Sequence, residues 1–287
     1  RTEKKKLAYL LPLRSQTDHF RYDPSLIAAA IFVALFAITT LLHIFQAARA
    51  RTFYFIPLII GGLLECIGYV GRALAHSNET SESIFIMQTL TLLVAPALFA
   101  ASIYMVLGRL VLATRGESLA PIRASRLTKI FVCGDVIAFL VQAFGGGLMA
   151  KQSTQNSGKS IILVGLFIQI IFFGIFVITS SIFHRRLARS PTQESVIVPW
   201  QKYMFALYSA SILILIRSVF RVIEFAAGNN GPISSSEVYL YVFDAILMFG
   251  VMIGFNIVHP GAIIGRKAQK DSILLSGRES GRDGLSY

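Results

Sequence analysis

The sequence predicts an all-α fold, a polytopic membrane protein built as a seven-transmembrane helix bundle. Three observations carry that prediction. Of the 287 residues 54% are hydrophobic and only 15% charged, where a soluble domain carries about 25% charged residues. The apolar residues, 22 Phe among them, gather in continuous runs instead of alternating, which excludes barrel strands. Seven of these runs reach the roughly 20 residues that a helix needs to cross a bilayer. The composition thereby excludes a water-soluble enzyme, a collagen and a disordered chain. A net charge of +12 does not make the chain a nucleic-acid binder, because Lys and Arg lie mostly between the apolar runs, as in cytosolic membrane loops. Cys66 and Cys133 both sit inside apolar runs and supply no extracellular disulfide framework.

In chain order, an N-terminal arm of residues 1–24 comes first. Its apolar patch Leu7–Leu13 contains Pro12 and ends at Arg14, too short for a signal-peptide core. The spans follow at Ser25–Phe45, Phe53–Leu74, Ile84–Leu112, Ile130–Met149, Ser160–Phe183, Tyr203–Ala226 and Val238–Val258. The third is long enough to tilt or to leave the bilayer. The fourth is short, and Gly145-Gly146-Gly147 is expected to loosen its end. The loops have no room for a folded domain. Trp200, Tyr203 and Tyr54 read as an interfacial belt. The tail, 259–287, is basic and Ser/Gly-rich and reads as disordered, in contact with anionic inner-leaflet lipid.

Charge sets the orientation. The three loops on one side, their helix ends and the tail carry 16 Lys and Arg, while the short loops opposite carry 3. The positive-inside rule then puts the C-terminus in the cytosol and the N-terminus outside. Lys4, Lys5 and Lys6 in the arm oppose this, but they lie near the distance limit of the rule. The sequon Asn78-Glu79-Thr80 falls in an outside loop and agrees with it.

Six ionisable residues lie inside the spans: Glu65, Asp135, Arg217, Arg221, Glu224 and Asp244. Each costs about 2.5–3.5 kcal/mol to insert, so such groups face protein or a water-filled path. They are structural ion pairs or the walls of a polar pocket. Glu65, Tyr69 and Arg72 share one face of the second helix, and Arg217, Arg221 and Glu224 repeat that spacing in the sixth. Gln88 and Asp244 come early in their spans, at the same depth. Gln142 and Gln169 lie nearer the centre, and Asp135 lies alone towards the cytosol. Placing the second and sixth helices side by side would pair Glu65 with Arg217 and Arg72 with Glu224, as in a three-plus-one-plus-three repeat. A pocket with both signs in an apolar surround suits an amphipathic lipid with a charged head.

His43, His184 and His259 all fall at cytosolic span ends. Three His with carboxylates can hold a catalytic zinc, but these three are scattered, with no helix-paired spacing. Snorkelling or capping roles explain them, and no metal or other cofactor is expected. No nucleophile elbow, Walker loop, His-Glu-x-x-His or dinucleotide fingerprint occurs, which leaves no ATPase in the chain.

A larger pattern is carried by Tyr22-x-Pro24-Ser25, Glu65-x-x-Gly68-Tyr69-x-x-Arg72, Gln88, Ala95-Pro96, Tyr104 and Gly108-Arg109. It continues through Asp135, Gln142, Gly145-Gly146-Gly147, Gly165, Gln169 and Arg217-Ser218-x-Phe220-Arg221-x-x-Glu224 to Glu237, Tyr241, Asp244 and His259-Pro260-Gly261. This ordered set resembles the fungal lipid-translocating exporter family, the RTA-like (resistance to aminocholesterol) proteins. Ala138 stands where that family commonly has Ser. The resemblance implies seven spans with the N-terminus outside, a fungal source, and export or flipping of sphingoid bases, sterol-like amphiphiles or other toxic lipids.

The sequence reading is therefore a non-enzymatic translocator of amphipathic lipid in the plasma membrane or an endomembrane. Its substrate-binding residues are expected to be Glu65, Tyr69, Gln88, Asp135, Gln142, Gln169, Arg217, Arg221, Glu224, Tyr241 and Asp244. A seven-span lipid receptor or sensor is the alternative, and a membrane-embedded lipid hydrolase a third reading.

Overall fold

The structure, a computed structural model, describes residues 25–77, 81–149, 152–227 and 237–261. The arm, the Asn78 sequon and the tail beyond Gly261 lie outside the described residues. All regular structure among the described residues is helical, and seven helices are long and apolar enough to span a bilayer. The first is Leu26–Ala50, and the second is Ile56–Ala75, entered through a 3₁₀ turn at Phe53–Phe55. The third, fourth and fifth are Glu82–Ala113, Ala124–Met149 and Gln155–Arg189. A short helix, Gln193–Ile197, precedes the sixth span, Trp200–Ala227. The seventh, Glu237–Ile257, contains a π-helical stretch at Tyr241–Ile246. The helices overrun the apolar stretches because their polar ends still satisfy backbone hydrogen bonds internally; the fifth gains Gln155–Lys159 and His184–Arg189 in this way.

Consecutive spans pack against one another, and the seventh closes the ring on the first. The third runs through the middle and touches the second, fourth and sixth. Its apolar stretch is 61% buried, against 28–39% for the other six. Phe99, Ile103, Tyr104, Leu107 and Leu110 of this helix form the axis of the core. Ile27, Leu41, Phe144, Ile178 and Phe205 point outward, as lipid-facing side chains must.

Glycine sets the closest approaches. A Cβ on Gly61 would sit 2.6 Å from the Phe99 ring, and one on Gly68 would sit 2.7 Å from Leu92 Cγ. The second and third spans are therefore nearly in backbone contact. The glycine triplet of the fourth span does not loosen its end as expected. All three residues are helical, and Gly145 lies against the backbone of Gly158 and Ile162. Without lipid-to-lipid hydrophobic gain between helices, such close small-residue contacts supply the packing energy.

Candidate functional site

The charged residues collect towards the end of the bundle where the first, third, fifth and seventh spans begin. Ser25 caps the first span with its side chain, and its backbone N–H donates to the Glu237 carboxylate at 3.0 Å. The same carboxylate receives Arg72 Nη2 at 2.9 Å, while Arg72 Nε also reaches the Tyr241 hydroxyl at 3.3 Å. Glu237 thus ties three helix ends together. Deeper, Arg217 Nε donates to Asp244, and Arg221 bonds Glu224 at 2.9 Å and lies 3.6 Å from Asp244 Oδ2.

The third span contributes a carbonyl. Pro96 has no N–H, so the carbonyl four residues earlier, Leu92, loses its helical donor. Arg217 Nη2 supplies one at 2.6 Å. Transmembrane helices tolerate proline where a neighbour re-satisfies the freed group, and here the neighbour is a buried arginine. On the seventh span Tyr241 and Asp244 both fall within the π-helical stretch, a distortion often found at functional sites. Phe32 stacks on Tyr241 and Phe36 on Tyr69, which walls the network on the side of the first span.

The side-by-side pairing of the second and sixth helices is not what forms. The second span packs on the first and third, and the third separates it from most of the sixth. Arg217 takes Asp244 instead of Glu65, and Arg72 takes Glu237 instead of Glu224. Spacing along a helix set the depth of these groups correctly, but the order of helices around the ring decided their partners.

Glu65, Tyr69, Arg217, Arg221, Glu224, Tyr241 and Asp244 thus share one network. Gln88, which packs beside Gly71, lies one turn before Leu92 on the same side of the third span. Asp135, Gln142 and Gln169 are elsewhere. Asp135 is not alone, since the buried Tyr104 hydroxyl donates to it at 2.8 Å from the third span. Gln142 Nε2 donates to Gln169 Oε1 at 3.1 Å between the fourth and fifth spans. Ala138 forms no hydroxyl contact, and its carbonyl abuts Gly165. An apolar crevice of about 90 Å³ opens between the third and fourth spans beside Asp135, lined by Val94, Leu98, Val132 and Phe139. Tyr104→Phe should destabilise the protein by about 1–3 kcal/mol by stranding the Asp135 carboxyl. A thermal melt in detergent measures this, and an unchanged melting temperature would contradict it.

The three histidines form no common cluster among the described residues, although His43 and His259 both lie against the Phe55 ring. His43 is fully buried rather than snorkelling, and its Nε2 pairs with the Met252 carbonyl at 3.0 Å. His259 Nε2 meets Thr52 Oγ1 at 3.1 Å, and partial burial holds this imidazole below the usual histidine range. His184 lies against Trp200 and Tyr208. Trp200, Tyr203 and Tyr54 are also buried, not an exposed belt. The Tyr54 hydroxyl donates to the Pro260 carbonyl at 3.2 Å, so the residues after the seventh span dock on the start of the second.

Sequence reasoning missed Glu237 and the Leu92 carbonyl as network members, and Tyr104 as the partner of Asp135. Pro96 was the available signal for the second of these. The chemistry of the main network is marked by its unpartnered buried atoms. Among the described residues these are both Glu65 oxygens, the Tyr69 hydroxyl, Gln88 Oε1 and Asp244 Oδ2, with a single N–H, that of Arg221 Nε. Oxygens predominate among these atoms, so the network can receive a guest that brings N–H and O–H groups.

A family model described as "RTA1 like protein" matches residues 58–267, a range that includes Glu65, Tyr69, Arg72, Gln88, Arg217, Arg221, Glu224, Glu237, Tyr241 and Asp244. The chain is 39% identical to Protoporphyrin uptake protein 1 of Saccharomyces cerevisiae over 274 residues, 83% of this chain and 90% of that protein. It is 37% identical to Protein RTA1 of the same species over 295 residues, covering 93% and 92%. It is 26% identical to the Sphingoid long-chain base transporter RSB1 of a Saccharomyces cerevisiae strain over 276 residues, covering 83% and 72%. No solved structure matches the chain. Seven membrane-length helices and a family match over most of the sequence make this an integral multi-pass membrane protein that belongs to the RTA1-like family.

Proposed function

We propose that the protein moves amphipathic lipids across the bilayer, without catalysing a reaction or hydrolysing ATP, and that the Glu65–Arg217–Asp244 network binds the head group. The observation that carries this reading is the set of buried oxygens in that network without a hydrogen-bond partner. A sphingoid head group offers an ammonium and hydroxyls, which match those oxygens in type. The guanidiniums of Arg217 and Arg221 would answer an acidic amphiphile, the chemistry suggested by the name of the protoporphyrin relative. The lipid transporter name of the sphingoid-base relative supports a lipid cargo. Tyr69, Gln88, Glu224 and Tyr241 complete the proposed site. Asp135 lies beside the crevice, where an alkyl chain would pass, and Gln142 and Gln169 lie between the fourth and fifth spans. The distribution of Lys and Arg favours an outside N-terminus and a cytosolic tail, in the plasma membrane or an endomembrane.

Reconstitution into liposomes with an NBD-labelled sphingoid base tests the reading. Protein-dependent exposure of inner-leaflet label to dithionite is expected. Saturable binding without movement would replace the translocator with a sensor, and a new product in the mass spectrum would make it an enzyme.

A further inference from the structure

Among the described residues, Glu65 is the one network carboxylate with no cation bonded to it. It is fully buried, and neither oxygen has a hydrogen-bond partner. The nearby cations are engaged elsewhere: Arg72 with Glu237, Arg217 with Asp244 and the Leu92 carbonyl, Arg221 with Glu224 and Asp244. The charged groups that act on Glu65 are Arg217 and Arg221 of the sixth span and Asp244 of the seventh. Tyr69 lies one turn along its own helix. The third span offers this region the Gln88 amide and the Leu92 carbonyl, and the ionisable residues of the first span are His43, turned to Met252, and Arg49 at its far end.

Among the described residues, three guanidiniums, those of Arg72, Arg217 and Arg221, face the carboxyls of Glu65, Glu224, Glu237 and Asp244, and of these carboxyls Glu65 is without a bonded counter-ion. An unpaired carboxylate in a low-dielectric interior is strongly disfavoured. The packing therefore accommodates Glu65 as the neutral acid.

We propose that Glu65 is a proton-exchange site, whose carboxyl releases its proton when a lipid ammonium enters, so that cationic lipid and proton move in opposite directions. The inference rests on the head-group reading above. The step balances simply: the O–H bond of Glu65 breaks, its proton leaves to water, and the carboxylate pairs with the arriving ammonium. One positive charge leaves as another arrives, so the exchange leaves the total charge of the site unchanged. The exchange couples lipid movement to a proton gradient, with no nucleotide.

The test uses purified full-length protein in weakly buffered detergent near pH 6.5, titrated with sphinganine and, separately, with its N-trimethyl analogue. The analogue has no titratable proton, so any proton released comes from the protein. The expected result is one proton released per molecule bound, with affinity rising about tenfold per pH unit. Glu65→Gln should release none and bind weakly with a flat pH profile, and Glu65→Asp should keep both the release and the slope. Should Glu65→Gln fail to fold, the proton count of the wild type and of Glu65→Asp decides. Binding without proton release overturns the exchange and leaves the head-group site standing. No binding of either probe overturns both.

Discussion

Asp244→Asn is expected to destabilise the bundle by about 3–5 kcal/mol, because it leaves the buried Arg217 guanidinium without its counter-ion in a low-dielectric interior. Arg217 is 2% exposed and Asp244 1%, so water cannot take over. The Leu92 carbonyl still accepts one N–H but does not neutralise the charge. Arg217→Gln with Asp244→Asn should recover much of the loss, since the charge and its partner leave together. Melting temperature and the folded fraction after detergent extraction measure the cycle. Additive losses in the double variant would contradict the pairing.

Gly158→Ala should also destabilise the bundle, by less and for a steric reason. The added Cβ would lie 2.6 Å from the Gly145 carbonyl oxygen and 2.7 Å from the Met149 nitrogen. Both are backbone atoms, which cannot turn aside, so the fourth and fifth spans must separate. Overpacking of this kind costs about 1–3 kcal/mol, more than the helix propensity that Ala gains over Gly, at most about 1 kcal/mol. Gly146→Ala is the control. A Cβ there meets nothing within 4 Å, so the same change should stabilise by about 0.5–1 kcal/mol. Thermal melts of the two variants should move in opposite directions, and matching shifts would show that the fourth and fifth spans do not pack as described.

The spans were legible because a bilayer demands long apolar runs, and hydropathy reports these directly. Their ends were less so, since Gln155–Lys159 is polar yet helical. Depth was legible too: Glu65, Arg217 and Asp244, far apart in sequence, do share one network. Partner choice was not. It depends on how the helices are ordered around the central third span, and no interval within one helix encodes that. Pro96 carried more information than was taken from it, since a proline names the carbonyl it frees, and a buried arginine at the same depth is a ready donor. Asp135 seemed isolated only because its donor, Tyr104, is an aromatic residue that resembles core. The burial of Trp200 and Tyr54 likewise reflects contacts among span ends and the short Gln193–Ile197 helix region, which composition does not report.

The central claim is that the lipid head group enters the network of the second, sixth and seventh spans rather than the Gln142–Gln169 side. Photo-crosslinking addresses it directly, with a sphingoid base carrying a diazirine next to its amine, followed by peptide mapping. Label is expected on peptides containing Glu65–Arg72, Arg217–Glu224 or Tyr241–Asp244, competed by unlabelled base and lost in Glu65→Gln. Label confined to the fourth and fifth spans, around Asp135, Gln142 and Gln169, would contradict it.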